Sequence, residues 1–115
     1  MRLLSLGVTS IAANATNKNV LSGETYERIP FDAMVYVGLT QSATGLLVNY
    51  LIGGMGVGVN LAPSLANRTP QFPNDYPIRG QEAPDGAQQI LSAQNTTAGA
   101  LSLFWTVEYE ELIAG

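Results

Sequence analysis

The chain has 115 residues, 46% hydrophobic and only 12% charged, with a net charge of −4; that suits one domain, long enough to bury a core without a metal or a disulfide. It contains no cysteine and no histidine, which excludes disulfides and thiolate chemistry and removes the commonest general base and metal ligand. The five basic residues, Arg2, Lys18, Arg28, Arg68 and Arg79, are scattered, so no cluster supplies the phosphate neutralisation on which a nucleic-acid partner depends.

Arg2 is followed by Leu3, Leu4, Leu6 and Val8, and then by Ala13-Asn14-Ala15. This loosely imitates a secretory signal. Ser5, Gly7, Thr9 and Ser10 interrupt the apolar run, however, and Leu4, Leu6 and Val8 alternate as in a strand. The expectation here is a strand. No apolar stretch reaches the roughly 20 residues of a membrane-spanning helix, so no membrane partner is expected.

Period two continues along the chain. Thr25 to Phe31 reads as a strand with Ile29 and Phe31 on one side, after a turn at Ser22-Gly23. Ala33, Val35, Val37 and Leu39 form the next apolar face, and Leu46, Val48, Tyr50 and Ile52 another. Gln88 to Ala93 is a weaker strand. Leu101, Leu103, Trp105, Val107 and Tyr109 share one face of the clearest half-buried strand, opposite Ser102, Thr106, Glu108 and Glu110. Ser42-Ala43-Thr44-Gly45 and Asn95-Thr96-Thr97-Ala98-Gly99 read as hairpin-like links. Many short strands with turn residues between them predict an all-β fold, an antiparallel β-sandwich or barrel, as a single domain over 1–115.

The segment 53–86 breaks the pattern, with five of the six prolines and six of the twelve glycines. Proline lacks a ladder donor, so the stretch is not a run of central strands. Gly53-Gly54-Met55-Gly56-Val57-Gly58 is expected to carry the chain out of the sheet. The remainder is either an extended Pro/Gly-rich arm that packs on a neighbour or an ordered loop covering its own sandwich. Leu65, Arg68, Phe72, Tyr76 and Ile78 are its partner-contact candidates.

Reactive chemistry finds little support. Glu108 and Glu110 share a strand face, the ordinary place for solvated charges, rather than facing each other across a cleft. Asp75, Glu82 and Asp85 could offer oxygens to calcium but lack a recognised ligand spacing. The glycine run at 54–58 lacks the lysine and helix of a phosphate loop. Asn14-Ala15-Thr16, Asn67-Arg68-Thr69 and Asn95-Thr96-Thr97 are better read as turn chemistry than as glycan acceptors. The expectation is a non-enzymatic chain with no cofactor and no metal. So few charges, against about 25% in average domains, leave a neutral surface suited to protein contacts.

Three stretches carry a family likeness: 22–33 (SGETYERIPFDA), 67–76 (NRTPQFPNDY) and 95–101 (NTTAGAL). In this order they resemble small structural proteins of tailed bacteriophages from aquatic bacteria, the jelly-roll cement or decoration proteins of the capsid. The likeness covers most of the chain and rests on strand and turn pieces, not on a catalytic signature. It implies a jelly-roll-like sandwich on the virion surface, assembled in the host cytoplasm. It also implies a partner in the major capsid protein, self-association as a dimer or trimer, and stabilisation of the shell. The alternative is a carbohydrate- or receptor-binding module of a phage fibre or spike, which would use the same fold with exposed aromatics.

Overall fold

The computed structural model describes residues 2–112, and among these every regular element is a strand. The strands are β1 (Arg2–Ile11), β2 (Thr16–Asn17), β3 (Ala33–Gln41), β4 (Leu46–Ile52), β5 (Met55–Leu61), β6 (Ser64–Leu65), β7 (Ile78–Ala83), β8 (Gln89–Asn95) and β9 (Leu101–Glu111). Two sheets pack as a β-sandwich. One runs β1-β9-β3, and β7 and β6 share the far side of β3; the other runs β2-β8-β4-β5. All pairings are antiparallel except the short β3–β6 contact.

The apolar halves of the alternating strands make the core. Val35, Val37 and Leu39 of β3, Val48 and Tyr50 of β4, and Leu103, Trp105, Val107 and Tyr109 of β9 are all buried. The expected faces of these three strands are therefore the observed ones. Each fully buried apolar side chain stabilises the fold by roughly 1.5–3 kcal/mol over its exposed state.

Buried amides close the two ends of the sandwich. At one end Gln41 donates from Nε2 to the Pro63 carbonyl at 2.7 Å, and its Oε1 accepts the Leu46 N–H at 3.0 Å. Beside it Asn95 donates to the Ile11 and Gly99 carbonyls at 3.0 and 2.8 Å. Its Oδ1 accepts the Thr97 N–H at 2.9 Å, an Asx turn as expected for this triplet. At the other end the Gln89 Nε2 donates to the Tyr109 hydroxyl at 2.7 Å and to the Tyr26 carbonyl at 2.8 Å, while its Oε1 accepts from the Tyr50 hydroxyl.

Four expectations change. Thr25 to Phe31 is not a strand: it makes one isolated bridge, Arg28 to Gln88, and Pro30 has no N–H with which to extend it. Ile29 still anchors the segment in the core. The links after β3 and after β8 are not hairpins, because each crosses from one sheet to the other. The tight hairpin is instead Gly53-Gly54 between β4 and β5, with φ of +58° and +84° as a type I′ turn demands. Segment 53–86 is therefore not a separable arm. It contributes β5, β6 and β7, all on sheet edges, where strand proline and glycine are tolerated.

Two outcomes follow from the Gln89 cluster. Replacing Gln89→Leu strands two buried phenols without their amide partner and should cost about 2–3 kcal/mol in denaturant unfolding. Burial foremost holds the Tyr109 phenol up at about 12, and it raises Tyr50 as well. An unfolded phenol ionises near pH 10, so above that pH the unfolded state sheds protons that the fold retains. Stability through Tyr109 is thus complete below pH 10 and falls as pH rises toward 12. Ultraviolet titration should show buried phenols ionising together with unfolding, rather than as independent groups.

Candidate functional site

Strand β1 lies at an edge of the five-stranded sheet, paired with β9 over its whole length in unbroken register. Its faces are the reverse of what hydrophobicity alone suggests. Leu4, Leu6 and Val8 are 54%, 55% and 60% exposed, whereas Ser5, Gly7 and Thr9 face the interior side with Val107, Trp105 and Leu103. Trp105 explains the inversion. A Cβ at Gly7 would lie 2.7 Å from the Trp105 Cζ2, and the indole N–H donates to the Thr9 hydroxyl at 3.2 Å. The indole fills the space that inward leucines would need. Because side-chain period is two, every second residue of β1 is then committed outward.

The exposed row runs beside the outward residues of β9, Glu108, Thr106 and Phe104, and these lie beside Tyr36, Gly38 and Thr40 of β3. Over Gly38 the segment 66–77 folds back onto this outer face. A Cβ at Gly38 would lie 2.6 Å from the Tyr76 ring and 2.8 Å from Pro70, so only glycine leaves room for the cover. The Leu39 N–H donates to the Asp75 carbonyl at 3.0 Å, along the stretch of β3 between its β7 and β6 pairings. The Thr40 hydroxyl donates to the Arg68 carbonyl. The buried Asp75 carboxylate accepts from Arg68 Nη2 and from the Gln71 N–H, both at 2.9 Å. The Phe72-Pro73 bond within this cover is cis.

The predicted contact residues thus divide. Phe72 and Leu65 are exposed, 58% and 65%. Tyr76 and Ile78 are buried within the chain and are not surface contacts. Arg68 is spent on Asp75 and secures the cover. The physical reason is the vacancy over Gly38, which draws Tyr76 inward, and the pairing of Ile78 with Val37, which sets it against the core.

Two acidic residues on this face share one cation. Arg2 donates to Glu108 at 2.9 Å and to Glu110 at 3.3 Å, with its guanidinium 5.5 Å from the Tyr36 ring centroid. The Tyr76 hydroxyl donates to the other Glu108 oxygen at 2.7 Å. Burial first, and then the adjacent carboxylate, holds the Tyr76 phenol well above its ordinary value. Phe72 packs edge-on against both Tyr36 and Tyr76, centroids 6.2 and 5.2 Å apart. Among the described residues no group of three acidic side chains is placed to hold a metal ion, so Asp75, Glu82 and Asp85 are not brought together as one. The face offers apolar and aromatic contact, with Arg2 paired to Glu108 and Glu110 at one end. No protein family, curated protein or solved structure matches the chain.

The row of Leu4, Leu6 and Val8 was readable as a strand but not as a surface. The only sequence signal for it is the small and polar character of Ser5, Gly7 and Thr9, which fits beneath a large ring. A direct check of the covered face is Gly38→Ala. The added methyl meets the Tyr76 ring and Pro70, so the substitution should cost about 1–3 kcal/mol and loosen the cover. Limited trypsin digestion should then cut after Arg68 faster than in the parent chain.

Proposed function

We propose that the chain is a virion structural protein of a tailed bacteriophage, a cement or decoration protein that binds the shell of the major capsid protein and stabilises it. The observation that carries this reading is the exposed apolar row Leu4, Leu6 and Val8 on the outer face of β1, with half-buried Phe104 beside Val8 and exposed Phe72 farther across the same face. A soluble monomer rarely leaves a contiguous apolar patch uncovered unless something docks there. Docking on the shell stabilises it by mass action, without a reaction.

The strand order supports the jelly-roll form of the sandwich. β1, β9, β3 and β7 in one sheet, and β2, β8, β4 and β5 in the other, fit eight strands wound as two Greek keys. The sequence likeness described above points the same way. In this reading the protein sits on the capsid surface, is assembled in the host cytoplasm, and has no nucleic-acid or membrane partner. A second reading, a carbohydrate- or receptor-binding module of a fibre or spike, draws on the exposed ring of Phe72 beside Tyr36.

Coexpression with the major capsid protein encoded in the same genome tests the first reading. The chain should copurify with assembled shells in fixed stoichiometry, and Phe72→Ser combined with Phe104→Ser should strip most of it from the particles while the circular dichroism spectrum is kept. Particles that carry none of the parent chain would refute the capsid role. Specific hits on a glycan array with no particle binding would establish the second reading instead.

A further inference from the structure

The edge strands of the sandwich are not alike. β2 and β6 are each two residues long. β5 is irregular in its pairing with β4 and carries glycine at 56 and 58. β7 has a bulge against β3 and carries Arg79 and Glu82. Short length, irregular register and edge charges are the devices by which natural sheets stop their edges from pairing with other strands. β1 has none of them. It is ten residues long, keeps one register from Arg2 to Ile11, and has no charge and no proline after Arg2. Among the described residues, no backbone hydrogen bond joins residues 2–10 to anything but β9. Its interior-side residues Leu3, Ser5, Gly7 and Thr9 are themselves only half-buried, because among the described residues no further strand pairs beyond β1 at this edge.

We infer that this edge pairs with the β1 edge of a second copy, antiparallel about a two-fold axis through Leu6. The occupant follows from the strand's own pattern. The outward residues read Arg2, Leu4, Leu6, Val8, Ser10. With Leu6 facing Leu6 of the copy, Leu4 faces Val8 and Val8 faces Leu4, so all three apolar residues meet apolar partners. Arg2 then faces Ser10, and no like charges meet. Shifting by one step of the same face places Leu4 against Ser10 or Arg2 against Val8, and leaves an apolar residue without an apolar partner. The pattern is self-complementary at one register, as an isologous interface requires. Pairing satisfies the free backbone edge and joins the two five-stranded sheets into one. It also sets the two apolar rows side by side about 4.8 Å apart, doubling the outer contact face instead of hiding it. The pairing does not depend on what that face binds.

The chain has no cysteine, so single substitutions report the register. Residues directly opposite have Cβ atoms about 4.5–5.5 Å apart, whereas positions 4 and 4 of the two copies are offset by about 13 Å along the strand. The parent chain should sediment at twice the chain mass. Leu6→Cys should oxidise to a covalent dimer, and Leu4→Cys or Val8→Cys alone should not, while an equimolar mixture of those two should. Leu6→Lys, which sets two ammonium groups opposite each other, should shift the mass to the monomer with the spectrum of the fold retained. A parent chain that sediments as a monomer overturns the inference, and so do Leu4→Cys or Val8→Cys proteins that link to themselves as readily as Leu6→Cys. Each of these readouts is made without capsid protein, so a monomer that still decorates shells would sink the dimer alone.

Discussion

Trp105 stands over the backbone of Gly7, and much of the molecule's outer character depends on that contact. The indole is the largest side chain on the inner face of β9, and it is buried. Where it meets the neighbouring strand there is no room for a side chain, and the indole N–H needs an acceptor, which Thr9 supplies. Those two requirements fix which half of β1 faces inward. Since a one-residue slip would exchange the two faces completely, the leucines and valine of β1 cannot be hidden without expelling Trp105. The exposed apolar row is therefore a direct product of core packing, held in place by a central strand of the sheet.

The same sheet shows a second exchange between space and cover at Gly38. There the missing side chain lies on the outer face, and the segment 66–77 fills it with Tyr76 and Pro70. The cover is tied down by polar groups that would otherwise be orphaned: the Leu39 N–H, the Thr40 hydroxyl and the buried carboxylate of Asp75. Burying that carboxylate is tolerable only because Arg68 and a backbone amide both reach it. Two glycines on adjacent regions of one sheet thus have opposite effects. Gly7 admits a core ring and turns apolar residues outward, and Gly38 admits a surface loop and turns Tyr76 inward.

These contacts mark the boundary of what the sequence made legible. The inward faces of β3, β4 and β9 could be read directly, because large apolar residues alternate there with polar ones and no distant contact is needed to choose the face. β8 is a central strand with a weak signal, since its inner positions include Gln89, Ala93 and Asn95 in place of large hydrophobes. Their amides make sense only against Tyr50, Tyr109 and the Ile11 carbonyl, none of them near in sequence. β5 was obscured by its glycines, which look like a flexible exit and in fact form a tight turn and an edge strand. For the candidate surface, Phe72 and Leu65 were foreseeable as exposed apolar residues on a proline-rich segment. The inward turn of Tyr76 was not, because it is decided by the absence of a Cβ at position 38. The facing of β1 was likewise hidden, because alternation states that two faces differ without stating which one the core accepts.

The five-stranded sheet ends up with one closed side and one open side. Beyond β3 the chain covers its own edge three times over, with β7, the 70–77 segment and β6 following one another along the strand. Beyond β1 nothing comparable follows among the described residues. Covering an edge from within the same chain costs conformational entropy for every residue laid along it, about 1–2 kcal/mol each for the backbone, and at β3 the burial of Tyr76 and Ile78 works against that cost together with the backbone hydrogen bonds made to the strand. At β1 the inner positions from Ser5 to Thr9 are small or polar, so an intramolecular cover would gain little apolar burial from them. Another strand is the covering element that suits such an edge, because its return comes from backbone hydrogen bonds and not from side-chain volume. A strand brought by another molecule is also better suited than a loop of the same chain, since it leaves the outward leucines uncovered.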